Sequence, residues 1–139
     1  MKTSEETKMC VFCEIIKRTS KAHIIYENHQ LISFLDIDPI NEGHILIVPK
    51  QHVDTIEELS DETLSNIMSL AKKIVTTLKE LYGNKGYSIM QNGGAFCDFG
   101  HAHFHVFPRY DHDGFGWTYG SEEKMVNEEI AERIRKQLN

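Results

Sequence analysis

Much of what would move this chain out of the ordinary globular class is missing. No run of about 18 apolar residues occurs, so the sequence offers no bilayer-spanning helix and no membrane partner. Residues 1–9 are polar and charged, with no apolar stretch of the secretion-signal type. A cytoplasmic protein is therefore expected, with residues 1–9 as a loose tail and residues 10–139 as a single domain. The three cysteines, Cys10, Cys13 and Cys97, are an odd count, which in a reducing compartment argues against a disulfide framework. Positive charge is scarce: 15 Lys and Arg stand against 21 Asp and Glu, a formal charge of −6. That balance speaks against a nucleic-acid polymer as the main partner. A small anionic ligand stays open, because the local field of a site can oppose the net charge. At 139 residues the chain suits one core better than two.

What is present reads as short strands around one long helix. Phe12 to Lys17 makes one or two helical turns after the first cysteines. His23–Glu27 and Leu31–Leu35 are apolar runs separated by the turn residues Asn28-His29-Gln30. Ile45–Val48 is rich in β-formers and Pro49 closes it. From Ser60 to Tyr82, Leu64, Ile67, Met68, Ala71, Ile74, Val75, Leu78 and Leu81 recur at helical spacing. Ser60 suits the N-cap, Asp61 and Glu62 the first turn, and Gly83 the stop. Tyr87–Met90 and His101–Phe107 read as strands, the second ended by Pro108, and Glu122–Leu138 as an amphipathic helix. Tight turns between strands imply a mostly antiparallel five-stranded sheet, hence an α+β fold with one long helix and a C-terminal helix.

The chemistry concentrates in His101-Ala102-His103-Phe104-His105-Val106-Phe107. Histidine alternates with apolar residues at the period of a strand, so the three imidazoles share one face. Four steps of about 3.3 Å each set His101 and His105 roughly 13 Å apart at Cα. Metal–nitrogen bonds of about 2.0–2.1 Å do not comfortably close that gap. At least one histidine therefore has another role: nucleophile, phosphate donor or proton manager. The Cys10-x-x-Cys13 pair reads as metal or redox chemistry.

His-x-His-x-His followed by two apolar residues resembles the signature of the histidine triad family. The likeness extends to Cys10-Val11-Phe12-Cys13-x-Ile15-Ile16, to Phe34-Leu35-Asp36-Ile37 before Pro39, and to Gly43-His44-Ile45-Leu46-Ile47-Val48-Pro49-Lys50-x-His52. Asn92-Gly93 before the triad also fits. The resemblance implies an α+β homodimer that binds purine nucleoside phosphates and cleaves at the α-phosphate of phosphoramidates or dinucleoside polyphosphates, with no metal needed for the chemistry. It assigns His103 as nucleophile through a nucleotidyl-histidine intermediate, His105 as donor to a phosphate oxygen, and His44 as support for their network. Asp36 falls where both ribose hydroxyls are accepted, Val11, Phe12 and Ile37 where the base packs, and Asn92 and Gly93 beside the phosphates. Turn geometry alone also accounts for Asp36 and Gly93, and plain core for Val11, Phe12 and Ile37. Members with an N-terminal C-x-x-C imply a structural zinc on Cys10, Cys13, His52 and His101; two buried thiols and a surface histidine are the alternative.

One stretch departs from the pattern. Many members carry Gly-Gln-Ser-Val before the triad; here Phe96-Cys97-Asp98-Phe99-Gly100 stands instead. An ionised Asp98 there repels phosphate, unless it points away, is protonated or serves as the acid. Two further functions remain compatible with the residues: a nucleotide sensor with negligible turnover, and a nucleotidyl transferase. The aromatic segment Asp111–Gly120 covers the leaving-group side or docks on another subunit.

Overall fold

The long helix, α2 (Asp61–Tyr82), is specified at both ends. The computed structural model, which describes residues 10–139, has the Ser60 side chain accepting from the Thr63 amide at 3.1 Å. Gly83 closes the helix in the left-handed conformation, at φ 60°. Ile67, Leu70, Ala71, Ile74 and Leu78 are its buried stripe. The short helix α1 (Val11–Ile16) is capped by the Cys10 sulfur, which accepts from the Cys13 amide. The proposed tail, residues 1–9, lies outside the described residues.

Five strands follow one another as β1 (Ile24–Glu27), β2 (Leu31–Leu35), β3 (Ile45–Pro49), β4 (Gly86–Met90) and β5 (Phe104–Arg109). They form one antiparallel sheet in the order β1-β2-β3-β5-β4, the α+β arrangement expected. Asn28 makes the first hairpin turn: its side chain accepts from the amides of Gln30 and Leu31, both at 2.8 Å. Gly43 leads into β3 at φ 89°, where a Cβ would lie 2.8 Å from the Tyr82 ring; only glycine fits there. A C-terminal helix, α3 (Glu128–Leu138), buries none of its residues.

Alternation of side chains divides the sheet into two faces. Leu31, Ile45, Ile47, Phe104 and Val106 pack under α2. Ile32, Phe34, Leu46 and Val48 turn the other way and pack with Phe12, Cys13 and Ile15 of α1. Leu46 pairs with His105 across β3 and β5, so the histidines lie on the α1 face.

Three expected boundaries shift by more than one residue. The strand expected from His101 to Phe107 begins only at Phe104, because the Ala102 amide donates instead to the Val53 carbonyl, at 2.7 Å. It runs on through Pro108 to Arg109, since the pairing with β3 ends at Val106 and a missing N–H costs nothing beyond it. The C-terminal helix starts at Glu128 and not at Glu122, because Asn127 caps it by accepting from the Ile130 amide at 2.9 Å.

Candidate functional site

Backbone groups fix the protonation of the histidines, because a carbonyl can only accept and an amide can only donate. His103 Nδ1 lies 2.8 Å from the carbonyl of His101. That nitrogen therefore carries the proton, and Nε2 keeps its lone pair. The Ile40 amide donates to His44 Nδ1 at 3.0 Å. His44 thus holds its proton on Nε2 and donates it to His105 Nδ1, 2.9 Å away. His105 in turn carries its proton on Nε2. One ring offers an electron pair and its neighbour, at a centroid distance of 4.9 Å, offers a proton.

Burial supports the neutral forms. Desolvation is the largest influence on both His44 and His105 and lowers their pKa values. His105 is lowered to about 4, with His103 and His44 acting in the same direction and Asp36 and Asp98 against it. For His44 the opposing charges are Asp36 and Asp38.

Asp36 approaches both rings, with Oδ2 3.5 Å from His44 Nε2 and 3.8 Å from His105 Nδ1. Its other oxygen accepts from the Asp38 amide at 2.8 Å. Asp36, His44 and His105 thus form one group of possible metal donors. Their protonation disqualifies them, because the Ile40 amide already occupies one lone pair of His44 and its proton occupies the other. The group is a hydrogen-bond relay.

The second group, Cys10, Cys13, His52 and His101, has the opposite character. His101 Nε2 lies 2.7 Å from the Pro49 carbonyl. That nitrogen donates, leaving the Nδ1 lone pair directed at sulfur: 3.5 Å to Cys10 and 3.7 Å to Cys13. His52 Nδ1 is 3.0 Å from the Cys13 sulfur. Zinc bonds of about 2.3 Å to sulfur and 2.0 Å to nitrogen at tetrahedral angles set such edges near 3.5 Å. The donor atoms lie within 4.8 Å of one another, and a histidine ligand braced by a carbonyl is the usual outer-shell arrangement. The donor set fits a closed, structural zinc site.

The remaining expected residues are less concentrated. Phe12 is central: its ring stands edge-on to His101 at 5.8 Å and to His103 at 5.0 Å. Val11 packs against the α1 core, whereas Ile37 is 90% exposed and free to stack on a ligand. Asn92 and Gly93 sit in the turn after β4; the Asn92 carbonyl accepts from Gln91, and neither residue bonds to the histidines. Phe99, which sequence reasoning passed over, lies 4.9 Å from Phe12 and 5.8 Å from His103. Its only sequence signal was an aromatic residue two positions before the triad. An apolar cleft of about 380 Å³, lined by Ile25, Leu70, Ile74, Leu78 and Leu81 among others, opens on the α2 face. No histidine, cysteine or carboxylate lines it.

A five-stranded α+β domain with three alternating histidines, two of them set in complementary protonation states, defines the class. The family model of the HIT domain matches residues 17–112, and the chain belongs to the histidine triad family. The adenosine 5'-monophosphoramidase of Schizosaccharomyces pombe is 35% identical, over 91% of this chain and 98% of its own length. A crystal structure of a HIT family protein from Bacillus anthracis superimposes with a TM-score of 0.82 at 31% identity, covering 93% of this chain and 94% of that one. A Zn-bound histidine triad family protein from Mycobacterium smegmatis gives 0.72 at 31% identity, covering 84% and 86%.

Proposed function

We propose that this protein is a nucleotidyl hydrolase that cleaves at the α-phosphate of purine nucleoside phosphoramidates or dinucleoside polyphosphates, with His103 as the nucleophile. The observation that carries the reading is the protonation pattern. His103 Nε2 holds a lone pair because Nδ1–H is committed to the His101 carbonyl. His105 Nε2 holds a proton because Nδ1 accepts from His44. Attack by His103 on phosphorus forms the N–P bond, and the leaving group departs with the electron pair of the bond that breaks. His105 donates to the phosphate oxygen on which charge accumulates. Water then releases the nucleotide, so that one difficult displacement becomes two easier ones. Asp36, beside this pair, accepts the ribose hydroxyls through its two oxygens, and Ile37 and Phe12 receive the base. The phosphoramidase activity named for the fission-yeast relative points the same way.

Zinc on Cys10, Cys13, His52 and His101 has a structural part in this reading. It ties α1 to the loop after β3 and holds His101, whose carbonyl orients the nucleophile. The fit of the donor set and the Zn-bound relative support it. The protein acts as a homodimer in the cytoplasm.

The test is mass spectrometry of protein quenched in acid-free denaturant after mixing with adenosine 5'-monophosphoramidate or diadenosine tetraphosphate. A transient nucleotidyl adduct on His103, with release of the monophosphate, is expected; both vanish in His103→Ala. Tight nucleotide binding with neither adduct nor turnover would refute the hydrolase and leave a nucleotide sensor.

A further inference from the structure

The charges around the histidines are unusual for a site that receives a nucleotide. The carboxylates whose charge acts on His105 are Asp36 and Asp98. Those acting on His44 are Asp36 and Asp38. Carboxylates are the side chains whose charge acts on the pair, and no lysine or arginine is among these groups. Asp36 has neighbours of its own, both rings and the Asp38 amide. Asp98 makes no hydrogen bond or ion pair among the described residues, and it is exposed.

Its segment is nevertheless anchored to the triad on both sides. The Cys97 thiol donates to the His101 carbonyl at 3.4 Å, and the Gly100 amide donates to the Cys97 carbonyl at 3.4 Å. The Phe99 ring is seated against Phe12 and His103. Asp98 is therefore an unpaired, exposed carboxylate between a residue bonded to the His101 carbonyl and one packed on the His103 ring, and its charge acts on His105. Asp36 reaches His105 and His44 from the end of β2, whereas Asp98 belongs to the turn before the triad.

We propose that Asp98 selects the leaving group, accepting the protonated amine of a nucleoside phosphoramidate and repelling the anionic phosphate chain of a polyphosphate. The proposal rests on the reading of the site as a nucleotidyl hydrolase and narrows it to amine leaving groups. In the step it favours, His103 Nε2 forms a bond to phosphorus while the P–N bond of the protonated phosphoramidate breaks. The electron pair goes to nitrogen, which leaves as a neutral amine already bearing its proton. The positive charge passes to the phosphorylated imidazole. Asp98 stabilises the ammonium-like nitrogen before departure, and no base or co-reactant is consumed. A leaving pyrophosphate or longer chain instead brings negative charge toward a second negative charge.

The test compares the full-length protein with Asp98→Asn and Asp98→Glu. Values of kcat/KM are measured on adenosine 5'-monophosphoramidate and diadenosine tetraphosphate, and affinities for AMP and ATP are measured by calorimetry without divalent cations. Asp98→Asn is expected to narrow the preference for the phosphoramidate by about tenfold or more and to tighten ATP relative to AMP by a similar factor. Asp98→Glu, which keeps the charge, retains most of the preference. Equal changes on both substrates, with an unchanged ATP-to-AMP ratio, overturn the proposal. A wild-type protein that binds both nucleotides but hydrolyses neither substrate sinks the hydrolase reading. The ATP-to-AMP ratio then still decides the case for Asp98. Failure to bind either nucleotide sinks both.

Discussion

His101 and His105 stand four residues apart on the same face of the same segment, yet they end in opposite surroundings. Around His101 the partners are two thiols, a second imidazole and a carbonyl. The ring directs its Nδ1 lone pair into a closed set of soft donors, the arrangement that suits zinc. Around His105 the partners are another protonated ring and carboxylates. The same ring type is left with a proton to give. The difference comes from which backbone group each cluster recruits. A carbonyl, that of Pro49, locks His101 for metal; an amide, that of Ile40, locks His44 and through it His105 for hydrogen bonding. His103 lies between the clusters and is locked by the carbonyl of His101, a member of the thiol cluster.

The sharpest separation is expected at His103. His103→Ala should lower turnover at least about 1,000-fold, the scale on which a lost nucleophile is felt. It should leave metal content, measured by elemental analysis, unchanged. Cys13→Ser is the converse. It should remove bound zinc and lower stability by at least about 3 kcal/mol, read as a fall in Tm on the order of 10 °C, while turnover per folded molecule at 15 °C changes only a few-fold. If chelation or Cys13→Ser abolishes turnover in protein that stays folded, the two clusters are not chemically separate and a metal takes part in the reaction.

The His105 cluster should declare itself through pH. Its folded pKa of about 4 lies below the ordinary value near 6.5, so the fold favours the neutral ring. The unfolded chain binds more protons between those values. The stabilisation is therefore fully present above about pH 6.5 and is lost as pH falls toward 4, amounting to roughly 3 kcal/mol at most. His44, also shifted downward by burial, adds in the same direction. Urea unfolding of wild type and His105→Phe at pH 7 and pH 4.5 isolates the effect. A difference in stability between the two proteins that does not shrink on acidification would contradict it.

Much of the fold could be read from the sequence because local chemistry states it directly. Ser60, the apolar stripe and Gly83 specify α2 from within its own segment. The alternation of His101, His103 and His105 announces the site for the same reason. The strand start at Phe104 was not legible, since it depends on the Ala102 amide choosing the Val53 carbonyl of a distant loop. The start of α3 was missed because Glu122–Val126 has helical composition, and the cap at Asn127 decided the boundary. The division of the histidines into two clusters was legible from distance, but the direction of the protons was not. Ile40 and Pro49 act through main-chain atoms, and no side-chain pattern encodes them.

The smallest expected effect tests that hidden relay. His44→Phe keeps a ring of similar size but removes both nitrogens. The Ile40 amide loses its acceptor and His105 Nδ1 loses its donor. A proton can then sit on either nitrogen of His105, so only part of the population presents Nε2–H to the phosphate. The expected loss in kcat is about 10- to 100-fold, the range of a single positioned proton donor, with a smaller change in KM, because the base contacts at Phe12 and Ile37 lie elsewhere and only Asp36, 3.5 Å from the His44 ring, loses a neighbour. A purely structural role for His44 would give a similar loss if the pocket were merely loosened, so the titration of the His105 ring, followed by NMR, is the deciding measurement. His44 is one of the groups holding the His105 pKa down. Without it that pKa rises, and the His105 ring resonances titrate at higher pH than in the wild type. A His44→Phe protein that loses activity with the His105 titration unmoved would show that the ring only fills space, and the contrast between the two clusters would then rest on the zinc donors alone.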